Sequence, residues 1–235
     1  MPKWDEFMSE KDRAIVERAG YGGRVGFGTK PALLIIDVTY LFAGDPSRPD
    51  VDAMNRWRNA CTEGAATAVP AIAKMLSAAH EAGVPTFFTK SPRTRSDGFN
   101  RGRWMEKNVR GKEDTDPDPM TFEILKEVAP HESDVVIEKE KPSAFFGTPL
   151  MAYLNDLGVD TLIVCGVATS GCIRASVIDA FSYNFRVAVV EEGTFDRSES
   201  SHWINLFEMD QKYADLVQLD DVLKYFGERP FRQTY

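Results

Sequence analysis

The sequence predicts an α/β protein of three layers, α/β/α, with a mostly parallel sheet of about six strands between two helical layers. Three observations carry this expectation. PALLIIDV (31–38) and DTLIVCG (160–166) are nearly continuous apolar runs, the signature of strands buried on both faces. Strand-like and helix-like patterns alternate along the chain, as βαβ crossovers require. The 235 residues contain no repeat and no linker-like segment, so one large core is expected.

Residues 8–19 have the spacing of a short amphipathic helix and lead into GYGGRVGFGTKP, a glycine-rich arm without the lysine pattern of a phosphate loop. PALLIIDV is the first strand, and a helix over about 64–82 follows it. Then come strand VPTFFTK (84–90), a long polar loop over 91–118 and a helix near 120–128. Strand DVVIEKE (134–140), helix TPLMAYLNDLG (148–158), strand DTLIVCG, helix GCIRASVIDAFSYN (171–184) and strand FRVAVVEEG (185–193) continue the alternation. A helix over about 198–209, strand ADLVQL (214–219) and the short helix DDVLKYF end it. The expected organisation is an arm over 1–29, one domain over 30–226 and a tail over 227–235.

The formal net charge of -8 and the pI near 5.0, with no block of basic residues, offer no electrostatic footprint for nucleic acid or a membrane surface. No apolar run has the length of a membrane span, and MPKWDEFMSEKDRAIVERAG is charged where a signal peptide is apolar, so a cytoplasmic location is expected. Cys61, Cys165 and Cys172 are too few, and odd in number, for a disulfide framework, which points to free thiols.

Open α/β sheets bind ligands beyond the carboxyl ends of their strands, so chemistry is sought there first. Asp37 closes the first strand, Lys139 ends DVVIEK, and Cys172 opens the helix after TLIVCG. Alone, Asp37 also reads as a turn aspartate, Lys139 as part of a solvated charge run, and Cys172 as a buried structural thiol. A thiol in a first helical turn should have a lowered pKa. Together the three residues supply a nucleophile, a proton acceptor and a steadying cation. Cys165, inside an apolar strand, reads as structural, and Cys61 has no evident partner. His80, His131 and His202 sit at no strand end, which favours a carboxylate base, and no His/Cys spacing suits zinc.

These residues resemble the isochorismatase-like cysteine hydrolase superfamily over about residues 30–195, through ALLIIDV, VIEKEKPSAFFGTPLMAYL and GVATSGCIRASVIDA. The resemblance implies a Rossmann-like fold, Asp37 as general base, Lys139 as its cation and Cys172 as nucleophile. It also implies a cis peptide between Val167 and Ala168, and an oxyanion hole from the backbone N–H groups of Ala168 and Cys172. The implied reaction is amide hydrolysis through a thioester, with release of ammonia.

Nicotinamidases carry an aspartate and several histidines after the first motif to hold a metal. The corresponding AGDPSRPDVDAMNRWRNACTEGAAT has no histidine, so no metal and no cofactor are expected. Isochorismatases lack the cysteine, and Cys172 argues against their vinyl ether cleavage. The arm GGRVGFGTKPALLIID and VATSGCIRASVIDAFSYNFRVAVVEE look most like the branch of N-carbamoylsarcosine amidases and maleamate amidohydrolases.

Substrates of that branch bear a carboxylate. Arg197 matches its carboxylate-binding arginine, the other reading being a salt bridge to Asp196, Glu199 or a neighbouring subunit. Thr169 is a second candidate for substrate contact, or else a turn-stabilising hydroxyl. Tyr40, Phe42, Trp104 and Phe145 are candidates for a wall around the pocket; Trp104 stands out because it lies in the long polar loop, flanked by Arg101 and Arg103. Two departures from the branch bear on substrate identity: Ala168 where a second threonine is common, and a long insertion over 43–63. The expected partner is a small amide or ureide, and the resemblance implies a homodimer or homotetramer. The rival reading is a non-catalytic oligomeric scaffold of the same fold.

Overall fold

A computed structural model of the chain describes residues 3–45, 56–57, 59–107 and 118–228. Its centre is a sheet of six strands: β1 (Pro31–Ile36), β2 (Thr86–Lys90), β3 (Val135–Glu138), β4 (Thr161–Val167), β5 (Arg186–Phe195) and β6 (Asp215–Val217). The strand order is β3-β2-β1-β4-β5-β6, and every neighbouring pair is parallel. The longer helices are α1 (Glu10–Ala19), α2 (Thr62–Ala82), α3 (Leu150–Asp156), α4 (Arg174–Ser182), α5 (Glu199–Lys212) and α6 (Leu219–Glu228).

The period of two along β1 divides the core. Leu33 and Ile35 face one side, packed with Ala65, Ile72 and Met75 of α2 and Phe226 of α6. Leu34 and Ile36 face the other, with Leu150 and Leu154 of α3, Val177 of α4 and Leu206 of α5. All six residues of β1 are buried, which is why its sequence shows no polar alternation. Among the described residues, no helix is long and apolar enough to cross a membrane.

The arm is tied to the domain rather than hanging from it. Asp215 accepts from the backbone N–H groups of Val25 and Gly26, and Asp160 from those of Thr29 and Lys30. Helix α1, by contrast, buries none of its residues.

The segment near 120–128 departs from the sequence expectation. Instead of a helix it runs antiparallel to the chain just after β1, with a bridge between Thr39 and Ile124, and ends in a single turn at Lys126–Val128. Its backbone hydrogen bonds go to that distant partner: Leu41 N donates to Thr121 O and Leu125 N to Val38 O. Parts of the 43–63 insertion, the 91–118 loop and the 227–235 tail lie outside the described residues.

Candidate active site

The chain leaves β1 in one direction across the sheet and continues from β4 in the other, so β1 and β4 flank the topological switch point. A crevice opens beyond the carboxyl ends of such a pair. Asp37 directly follows β1, Lys139 directly follows β3, and the turn carrying Cys172 follows β4. All three line one cavity of about 570 Å³, together with Ala168, Arg197 and Trp104.

Asp37 has a positive φ of 55°, which turns the chain sharply off the strand. Its carboxylate is fully engaged: Lys139 Nζ donates to Oδ2 at 2.6 Å, and Thr89 Oγ1, from the neighbouring β2, donates to Oδ1 at 2.8 Å. Lys139 Nζ also donates to the carbonyl of Lys141 at 3.2 Å. Both charged groups are buried, so the pair is held by geometry with little solvent screening. Burial works against the Lys139 ammonium, but the Asp37 charge, with a smaller share from the neighbouring Cys172, outweighs it and holds the Lys139 pKa above its usual value.

Cys172 is presented differently from the simple first helical turn expected. Residues Thr169–Ile173 form a π-turn that leads directly into α4, and the peptide between Val167 and Ala168 is cis. The thiol of Cys172 interacts with both Asp37 and Lys139. Its pKa is pushed up to about 12, first by burial and then by the Asp37 charge, with Lys139 opposing. The direction is opposite to the lowering expected at a helix start. Gly166 makes the approach of β4 to β1 feasible, since its φ is 117° and a β-carbon there would lie 2.1 Å from the Ile36 carbonyl oxygen.

The expected substrate contacts divide. Arg197 lines the cavity and pairs with neither Asp196 nor Glu199; one guanidinium nitrogen donates to Asn59 O at 2.9 Å and lies 3.6 Å from Cys61 Sγ. This supplies the partner that Cys61 lacked in the sequence. Thr169 does not line the cavity: it is wholly buried and its hydroxyl is 2.7 Å from His202 Nδ1. Its hydroxyl joins the turn to α5 rather than facing the cavity. Of the aromatic residues, Phe42 and Trp104 line the cavity, whereas Tyr40 tilts against Trp57 and Phe145 packs against Tyr183 and Phe185. Arg101 also lines it, but Arg103 is exposed and pairs with Glu106.

Sequence reasoning missed Thr89, whose only signal was its place at the end of β2, and Asp196, which accepts from both Ser170 N (2.8 Å) and Ser170 Oγ (2.7 Å) and so anchors the π-turn. Cys165 is wholly buried in β4 and its thiol pKa is raised by burial alone. Among the described residues, no three His, Cys, Asp or Glu side chains are grouped to hold a metal.

The isochorismatase domain family matches residues 31–221. A maleamate amidohydrolase from Pseudomonas putida is 37% identical over 209 residues, covering 87% of this chain and 90% of its own. An N-carbamoylsarcosine amidase from Arthrobacter is 32% identical over 225 residues, covering 94% of this chain and 80% of its own. Among solved structures, a cysteine hydrolase from Pseudomonas syringae superposes with a TM-score of 0.71 at 21% identity, covering 85% of this chain and 93% of that one, a likeness of fold.

Proposed function

The chain belongs to the isochorismatase family, and on that premise we propose that it is a cysteine-dependent amidohydrolase of a small amide or ureide that also bears a carboxylate. The observation that carries this reading is that Cys172 lines one cavity with the buried Asp37–Lys139 pair, whose charges act on its thiol. The similarity to a maleamate amidohydrolase and an N-carbamoylsarcosine amidase supports the same bond type and substrate class.

Asp37 takes the Cys172 proton as the sulfur attacks the amide carbon. A thiol with a pKa near 12 is a poor nucleophile by itself, so attack and proton transfer are coupled, and Lys139 stabilises the charge that passes between the two side chains. The backbone N–H groups of Ala168 and Cys172 stabilise the developing oxyanion, a contribution of about 3 kcal/mol for each donor. Protonated Asp37 then returns the proton to the departing ammonia, leaving a thioester on Cys172. Water, deprotonated by Asp37, hydrolyses the thioester. Arg197 grips the substrate carboxylate through the N–H groups that Asn59 does not engage. Trp104 and Phe42 wall the cavity against water.

An ammonia-release screen over maleamate, N-carbamoylsarcosine, N-carbamoylglycine and nicotinamide tests the substrate class. Turnover of one of the three carboxylate-bearing compounds, with loss of activity on alkylation of Cys172, is expected. Preference for nicotinamide, which has no carboxylate, removes the role of Arg197.

A further inference from the structure

The cavity carries positive charge on both sides of the reacting centre. Arg197 stands two residues beyond β5, and Lys141 stands three beyond β3; both line the cavity. In the order β3-β2-β1-β4-β5 these strands are four steps apart, about 19 Å at the usual strand spacing. Asp37 after β1 and Cys172 after β4 lie between them.

Lys141 is held beside the triad, because its carbonyl accepts from Lys139 Nζ. Its ammonium rests against Gly102, where a β-carbon would stand 3.2 Å from Nζ, so the absence of a side chain there leaves room for it. The residue is half-buried and makes no ion pair among the described residues. Arg101 and Lys107 line the same side. Glu140, the one acid besides Asp37 among the lining residues, is exposed, and its charge acts on Arg95. A partly desolvated ammonium favours an anion beside it.

We propose that Lys141 is a second anion-binding position, separate from Arg197, and that beside primary amides the enzyme takes linear amides carrying a carboxylate on each side of the scissile C–N bond. This rests on Cys172 being the nucleophile. The thioester forms between Cys172 Sγ and the acyl carbon as the C–N bond breaks, and the thiol proton passes through Asp37 to the departing nitrogen. The leaving group is then an amine bearing its own carboxylate, and water releases the acyl half as a dicarboxylate.

The test uses the full chain and a readout that needs no turnover: protection of Cys172 from iodoacetamide by adipate and by hexanoate, followed by mass spectrometry. The two acids have chains of equal length and differ in the second carboxylate. Adipate is expected to protect at about tenfold lower concentration than hexanoate. Lys141→Met should abolish that advantage, and Lys141→Arg should keep it. In turnover, N-succinylglycine should have a lower KM than succinamate, and Lys141→Met should raise the first KM about tenfold while changing the second less than twofold. Equal protection by the two acids, or an equal effect of Lys141→Met on both substrates, overturns the second position. Cys172-dependent ammonia release from succinamate in that same case leaves the amidohydrolase intact, whereas cleavage by Cys172→Ser overturns both.

Discussion

The Cys172 thiol is the point at which sequence and site physics disagree most. Its place after a buried strand suggested a helix start and a low pKa, but burial and the neighbouring Asp37 charge push it up to about 12. The sign of each neighbour then makes a test. Removing the Asp37 charge in Asp37→Asn lowers the cost of the thiolate, so alkylation of Cys172 at pH 8 should become faster while amide hydrolysis falls about 10²-fold or more. In Lys139→Met both should fall, because the attraction that favours the thiolate is lost. Across pH, alkylation of the native protein should keep rising from pH 8 through 11 and lag behind a free cysteine, whose curve flattens near pH 9. Rates following pH are read by mass spectrometry of the Cys172 peptide. The gathering of Asp37, Lys139 and Cys172 in one cavity was legible because each follows a strand closely. Thr89 was not, since threonine is ordinary in a strand and only the pairing of β2 with β1 brings its hydroxyl to the Asp37 carboxylate. Thr89→Val should lower kcat about tenfold by releasing one carboxylate oxygen, with Thr89→Ser restoring most of it.

At the scale of elements, β4 and the π-turn after it form the part whose geometry matters most for the site. Gly166 pairs with Ile36 on one side and Thr194 on the other, where the register of β4 and β5 shifts. No side chain fits between β4 and the Ile36 carbonyl, so Gly166→Ala should destabilise the fold by about 3 kcal/mol or more in urea unfolding. The strands were readable from their apolar runs because local sequence and burial on both faces agree. The segment near 120–128 was not, because the partners of its backbone, Thr39 to Leu41, lie some eighty residues away in the chain. A local pattern carries no record of such a pairing. Likewise, the hydroxyl of Thr169 meets His202, a residue of a helix that the sequence predicts without showing that it packs against the turn after β4.

Across the whole molecule, strand order decides which distant residues share the cavity. The alternation of strands and helices was enough to predict a parallel sheet, but not that β1 and β4 would be neighbours at its centre. That adjacency brings Asp37 to Cys172 across more than a hundred residues, and it sets Arg197 beyond the next strand. The Asn59 carbonyl holds the Arg197 guanidinium in place, which under the proposed role orients it before substrate arrives. Arg197→Met should therefore raise KM for a carboxylate-bearing amide about tenfold or more, with a much smaller effect on an uncharged amide of equal length. The account's central claim is that Cys172 and Asp37 act together as nucleophile and base. The most direct measurement is ammonia release from maleamate and N-carbamoylsarcosine by the native protein, Cys172→Ser and Asp37→Asn, each shown by circular dichroism to be folded. The prediction is turnover of at least one compound by the native protein and a loss of about 10³-fold or more in each variant; turnover by Cys172→Ser at the native rate would contradict it.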